Sequence, residues 1–312
     1  METEEILKKF KEGSIRALGR AITLVENRPK DSEFLLQTLN KDTGKAHIIG
    51  FTGSPGAGKS SLIDSLVTYL RKNNIKVGII AVDPSSPFTG GAILGDRIRM
   101  IQHSTDKGVF IRSMANRGQS GGLGMATKDA IKLLDAFGFE VIIIETVGAG
   151  QTEIDIVKAA DTVIVVLNPE SGDDIQAFKA GIMEIADIFV INKADLPGAG
   201  RARLSIETAV HESKARNNWT VPVIMTSSFK TQGIDELWEK IGNHFNYLSE
   251  SNELSQRRFK NIQEEVIALV EYKIKNYLEL KLKEDSSLEA IKRAGEKEIT
   301  SRVAANEIFK GI

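Results

Sequence analysis

The sequence predicts an α/β fold, a mostly parallel, doubly wound sheet with helical extensions at both ends. Three observations predict it. Between residues 46 and about 246, short apolar runs alternate with segments of helical periodicity, and alternating β and α elements imply parallel strands joined by crossover helices. The runs are continuous, as in Val141-Ile142-Ile143-Ile144, which suits strands covered on both faces. One of them, His47–Thr52, leads into a glycine-rich turn and then a helix with Leu62, Ile63, Leu66 and Leu70 on one face.

Taken in order, residues 1–45 read as an N-terminal helical extension. Ile6, Leu7, Phe10, Ile15, Leu18, Ile22 and Val25 recur at helical spacing, with a break near Gly13-Ser14. Asn27-Arg28-Pro29 ends this stretch, and Asp31 or Ser32 caps a second helix carrying Phe34, Leu35 and Leu39. Residues 46–250 form the central domain, with strands expected at 47–52, 76–82, 109–112, 139–145, 162–167, 187–191 and 221–226. Residues 251–312 form a C-terminal helical arm. There Phe259, Ile262, Val266, Leu269, Val270, Ile274 and Tyr277 draw an apolar stripe along a long charged helix. Such a stripe either packs on the chain's own core or forms a subunit interface, and the pattern leaves both open.

Composition narrows the function classes. The 312 residues are 41% hydrophobic and 27% charged with a formal net charge of −1, which gives no footprint for nucleic acid or a membrane surface. There is no cysteine, so disulfides, thiolate zinc sites and cysteine nucleophiles are excluded. The acidic start lacks the basic and apolar regions of a signal peptide. No apolar run approaches a membrane span. A cytoplasmic protein is the expectation. The four histidines are scattered without ligand spacing, and no Ser-His-Asp arrangement is visible.

The turn after the first strand reads Gly53-Ser54-Pro55-Gly56-Ala57-Gly58-Lys59-Ser60, a full match to the phosphate-binding P-loop, followed by Ser61. Glycines let backbone N–H groups turn inward, and the helix start adds partial positive charge. Lys59 is expected to reach the β- and γ-phosphates and Ser60 to hold Mg²⁺. About 130 residues later, Asn192-Lys193-Ala194-Asp195 follows a strand. The Asp195 carboxylate can accept from guanine N1–H and the exocyclic amine together, which adenine cannot offer, so GTP is the expected nucleotide. Asn192 is expected to orient this loop and reach the base edge. Ser227, Ser228 and Phe229, after the next strand, place backbone N–H groups where guanine O6 would lie.

Further residues fall at the same sheet edge, where ligands bind in such folds. Glu145 ends the most hydrophobic strand and can hold Mg²⁺ directly or through water, while Gly148, three residues on, can donate its N–H to a γ-phosphate. Asp83 can bind Mg²⁺ or orient the attacking water. Asp96, Arg97 and Arg99 can approach the phosphates if the glycine-rich segment at 89–100 closes; Asp96 can equally pair with a nearby arginine. The turn at 116–124 is either mobile or a plain connection. Asp173 or Asp174 can cap a helix bearing Lys179.

Together these stretches resemble the MeaB-type family of G-protein chaperones for adenosylcobalamin-dependent methylmalonyl-CoA mutase, long labelled LAO/AO transport ATPases. The resemblance rests on Val82-Asp83-Pro84-Ser85-Ser86, Thr89-Gly90-Gly91, Leu94-Gly95-Asp96, Glu145-Thr146-Val147-Gly148-Ala149-Gly150-Gln151, Gly172-Asp173-Asp174-Ile175-Gln176 and Asn192-Lys193-Ala194-Asp195, and runs over about residues 10–250. Lys59-Ser60-Ser61 stands where Lys-Ser-Thr is usual. The resemblance implies a P-loop GTPase of the SIMIBI class with Mg²⁺ near Ser60, and Asp83, Asp96 and Glu145 as direct or water-linked acids. It implies a switch segment from about residue 168 to Lys179, including Asp173 and Asp174, with Gln151 in another switch. It further implies a C-terminal arm that dimerises and an acyl-CoA mutase client, with cobalamin bound by the client and not by this chain. Metal delivery of the nickel-insertion type, a P-loop kinase linked to amino-acid transport, and a nucleotide-gated scaffold without catalysis are the alternatives. Zero cysteines and dispersed histidines argue against the first.

Overall fold

The computed structural model describes residues 2–27, 29–84, 103, 105–116, 124–146, 155–169, 184–212 and 218–310. Seven strands form one sheet: β1 (His47–Thr52), β2 (Val77–Pro84), β3 (Val109–Asn116), β4 (Val141–Thr146), β5 (Thr162–Leu167), β6 (Ile188–Ile191) and β7 (Val223–Met225). Their order is β3-β2-β4-β1-β5-β6-β7, and every pairing is parallel. The expected strands are all present. β3 runs four residues further than its apolar run suggested, because backbone pairing with β2 continues to Asn116 opposite Pro84. The chain leaves β1 toward one edge and returns from β4 to β5 on its other side. Ligand crevices open where strand order reverses in this way, beyond the carboxyl ends.

The continuous apolar runs are explained by burial on two faces. Ile142 and Ile144 of β4 join one core with the N-terminal helices α1 (Glu2–Lys11) and α2 (Ile15–Asn27), α3 (Pro29–Leu39), and α5 (Met125–Phe137). Val141 and Ile143, one residue out of phase, join the opposite core with α4 (Lys59–Lys72) and α7 (Ile234–Glu250). α6 (Ala199–Glu212) covers β5 and β6 through Ala199, Ala202 and Ile206. α3 begins at Pro29, earlier than a cap at Asp31 or Ser32 would put it. Proline suits a first helical position, where its missing N–H is no loss, and Ser32 is fully buried in the packing.

The chain divides into two compact units, Met1–Arg258 and Phe259–Ile312. In the second, α8 (Glu253–Lys281) continues from the first unit, followed by α9 (Asp285–Gly295) and α10 (Ser301–Lys310). The α8 stripe stays open in the chain by itself: Phe259, Ile262, Val266, Val270, Ile274 and Tyr277 are each about half exposed or more.

At the amino ends of the strands, opposite the ligand edge, a buried polar network closes the first unit. Arg257 donates from both Nη atoms to Asp187 (2.7 and 3.1 Å), and Arg258 donates from Nε and Nη2 to Asp161 (2.8 and 2.7 Å). The two aspartates also accept the Val163 and Ile48 N–H groups. Thr162 Oγ1 lies 2.8 Å from His47 Nε2 and 2.9 Å from His244 Nδ1, while His244 Nε2 is 3.4 Å from Asp187. Two histidines far apart in sequence thus meet on one hydroxyl, and a Thr-His-Asp line exists that the sequence did not show. It is structural, since Thr162 is fully buried.

Burial pulls the His47 pKa from 6.5 down to about 4, with Asp161 opposing. Burial raises that of Asp187, but hydrogen bonds from His244 and Arg257 outweigh it and bring it to about 2. For His47 the folded value lies below the unfolded one, so the unfolded chain takes up the proton first. Its contribution is whole above pH 6.5 and is lost as pH falls toward 4. The Asp187 contribution is lost lower, between pH 3.8 and 2. Urea unfolding of wild type is therefore expected to lose on the order of 3 kcal/mol between pH 7 and 4 through His47. His47→Gln should flatten that slope; equal slopes for the two proteins would exclude His47 as its source.

Candidate functional site

The site is built at the carboxyl ends of β1, β4, β6 and β7. The loop from Gly53 to Gly58 leaves β1 and enters α4 at Lys59. Gly53 has φ 132° and a Cβ there would come 2.1 Å from the Val166 carbonyl oxygen, so only glycine fits beside β5. Gly58, with φ 88°, caps α4 in the left-handed region, and its Cβ would meet Asn192 Nδ2 at 2.4 Å. Lys59 is buried, and its ammonium spans the loop, donating to the carbonyls of Gly53 (2.7 Å) and Ser54 (3.1 Å). Ser54 Oγ is buried without a hydrogen-bond partner among the described residues. A hydroxyl of that kind inside a phosphate loop is what a phosphate oxygen would satisfy.

Ser60 Oγ donates to Glu145 Oε1 at 2.6 Å, joining the start of α4 to the end of β4. Both groups are buried, 6% and 2% exposed. A hydroxyl and a carboxylate are the hard oxygen donors that Mg²⁺ takes, with waters and phosphate oxygens completing its shell. The donor set therefore fits Mg²⁺, although among the described residues no group of three or more His, Cys, Asp or Glu forms a metal cage.

Adjoining the loop is a cavity of about 420 Å³, whose walls include Lys193, Asp195, Leu196, Ser227, Ser228 and Phe229. Lys193 sits at φ 56°, a left-handed bend that turns the chain from β6 toward Asp195. Asp195 Oδ1 accepts from Ser227 Oγ at 2.6 Å. That bond first, then a backbone N–H and Lys230, hold the carboxyl below the usual range, so it stays an ionised acceptor. Phe229, 93% exposed, stands at the rim.

Asn192 ties the two halves together. Its Nδ2 donates to the carbonyls of Ala57 and Gly58 (3.0 and 3.2 Å). Its Oδ1 accepts from Thr226 Oγ1, Ser228 Oγ and the Ser228 N–H (3.2, 3.0 and 3.4 Å). Both ends of its amide are engaged and the residue is 1% exposed. Asn192 thus braces the loop after β1 against the turn after β7, and the carboxylate that faces the adjoining cavity is that of Asp195.

The structure thus brings together Gly53, Ser54, Pro55, Gly56, Ala57, Gly58, Lys59, Ser60, Ser61, Glu145, Asn192, Lys193, Asp195, Ser227, Ser228 and Phe229 along one edge of the sheet. Asp83 ends β2 on that edge, paired with Ala115; its side chain lies outside the described residues, as do Asp96, Arg99, Gly148, Gln151, Asp173, Asp174 and Lys179. Sequence reasoning missed Thr226 as a brace, Leu196 as a wall, and Asp64 and Ser65 of α4, which also line the cavity. The last two were discoverable. They stand three and four residues beyond Ser61, on the same helical face.

With this geometry in hand, known proteins give a consistent answer. The family described as Methylmalonyl Co-A mutase-associated GTPase MeaB matches residues 18–283. A Pyrococcus abyssi protein with GTPase in its name is 50% identical over 312 residues, spanning 99% of this chain and 96% of its own. The GTPase ArgK of Escherichia coli is 36% identical over 282 residues, 88% of this chain and 85% of its own. The mouse methylmalonic aciduria type A homolog, a mitochondrial protein, is 34% identical over 264 residues, 79% of this chain and 64% of its own. Among solved structures, the crystal structure of an LAO/AO transport system kinase superposes with a TM-score of 0.75 at 28% identity, covering 99% of this chain and 96% of that one. The chain binds guanine nucleotide, hydrolyses GTP, and belongs to the MeaB family of methylmalonyl-CoA mutase-associated GTPases.

Proposed function

We propose that this GTPase is a chaperone that gates cofactor loading into an adenosylcobalamin-dependent acyl-CoA mutase of the methylmalonyl-CoA mutase type and protects that enzyme, acting as a cytoplasmic homodimer. The observation that carries the reading is the family match over residues 18–283 on a chain whose P-loop and Asn192–Asp195 motifs share one sheet edge. The open α8 stripe supports self-association, because a monomer rarely leaves so long an apolar face in water. Among the described residues no helix is long and apolar enough to cross a membrane.

In this reading Lys59 and the loop amides bind the phosphates and take up the charge that develops as water attacks the γ-phosphate in line. Ser60 and Glu145 would hold Mg²⁺, which would supply further neutralisation of phosphate charge. Asp83 and Asp96 would serve as direct or water-linked acids, with Arg99 approaching the phosphates. Gly148 and Gln151, and the segment bearing Asp173, Asp174 and Lys179, would report nucleotide state to the client. Cobalamin would belong to the client alone.

GTP hydrolysis by the intact protein is expected to rise when purified methylmalonyl-CoA mutase is added, with no response to ATP. Basal turnover unaffected by the mutase would remove the chaperone assignment and keep the GTPase. Light scattering should give about twice the 34.2 kDa chain mass at micromolar concentration; the single mass would remove the dimer. The solved relative's name as a transport system kinase favours a second reading, protein phosphorylation. Transfer of labelled phosphate to a protein acceptor in place of release to water would support that instead.

A further inference from the structure

A second polar cavity, of about 650 Å³, opens between the N-terminal helices and the β3 edge of the sheet. One face of α2 presents Arg16, Gly19, Arg20, Thr23 and Asn27 to it, at spacings of three or four residues. The other face buries Ala17, Leu18, Ala21, Ile22 and Val25 in the core. Arg112 comes from the middle of β3, where it is paired with Ile80. The cavity is therefore separate from the nucleotide edge, although β2 carries on from Ile80 to Asp83.

Three features of this face lack a packing explanation. A glycine inside a helix is less favourable than alanine, yet a Cβ on Gly19 would meet nothing within 4 Å. Its effect is to keep the groove floor open. Arg16 and Arg20 stand four apart on one helix, where like charges repel. Both are exposed toward the groove, and its lining contains three guanidinium groups and, among the described residues, no carboxylate. Arg112 donates from Nη2 to the Glu26 carboxylate and to Thr23 Oγ1, but its Nε–H is buried with no acceptor among the described residues. Among the described residues, Glu26 pairs with Arg112, and Glu5, within electrostatic reach of Arg20, is bonded to Lys9.

We propose that this groove binds a small phosphorylated anion. Guanidinium forks match phosphate oxygens in paired hydrogen bonds. With Arg112 balanced by Glu26, Arg16 and Arg20 leave two positive charges for the ligand, which is the charge a phosphate group carries near neutral pH. The volume suits a molecule of nucleotide size or smaller.

The probe is inorganic phosphate, titrated by calorimetry into the intact protein saturated with GDP and Mg²⁺, so that the P-loop is filled. Saturable binding is expected. It should weaken about tenfold or more in Arg16→Ala/Arg20→Ala, and in Gly19→Glu, which sets a carboxylate into open space. Lys59→Ala should leave it unchanged. Absence of saturation by about 10 mM, equal affinity in both groove variants, or loss of binding in Lys59→Ala alone would each overturn the proposal. If Gly19→Glu loses its native circular dichroism, the arginine pair, whose side chains are exposed, carries the test by itself.

Discussion

Lys59→Ala is expected to lower GTP turnover by about 10³-fold or more while leaving the fold in place. Phosphoryl transfer leaves the protein little covalent chemistry to do, so the rate rests on charge placed in advance where negative charge develops. Lys59 is the fixed cation of this loop. It is buried, and its ammonium is held at 2.7 and 3.1 Å from two loop carbonyls, so it need not reorganise from solvent to act. Those bonds also show why Lys59→Arg should not rescue: a planar five-donor group does not fit between two carbonyls arranged for a compact ammonium. The fold should survive because the glycine conformations and the Asn192 brace hold the loop independently. GDP affinity should fall much less than turnover, since Asp195 and the base cavity are untouched. Single-turnover hydrolysis with GDP titration separates the two effects, and wild-type turnover in the variant would exclude the charge-placement account.

The same loop shows what a sequence reveals and what it hides. Glycines at fixed offsets between an apolar run and an amphipathic stretch point to a tight strand–loop–helix turn, so that geometry was legible from residues 47–70. The double-faced sheet was legible too, because Val141 and Ile143 need one core while Ile142 and Ile144 need the other. What pattern does not carry is contact between distant residues. Asn192 was read as a loop and base residue, yet its amide bonds the P-loop carbonyls and the Thr226–Ser228 turn, which depends on β1, β6 and β7 ending at one level. His47 and His244 looked scattered for the same reason, and only sheet order places them on Thr162. Arg257 and Arg258, at the start of the long charged helix, carry no pattern that points to a partner. Their partners Asp187 and Asp161 sit just before strands, where each also accepts a backbone N–H.

The sharpest test of the base cavity is a change of nucleotide. In Asp195→Asn, GTP affinity is expected to fall by about 10²–10⁴-fold, from two charge-assisted hydrogen bonds at roughly 1.5–3 kcal/mol each. Xanthosine triphosphate should gain over the same range. The direction follows from Ser227. Its hydroxyl donates to Oδ1 of Asp195 at 2.6 Å, and an asparagine that keeps this bond must place its carbonyl oxygen there. The remaining position becomes an NH₂ group. Facing guanine, that donor meets the N1–H and exocyclic amine and leaves them unpaired; facing xanthine, it meets a carbonyl at C2. Asp195 is exposed and away from the cores, so the fold should tolerate the change. The signature is therefore an exchange of preference at unchanged stability. Competition between guanosine and xanthosine diphosphates measures it directly. A variant that still preferred guanine would show that a group other than Asp195 reads the base.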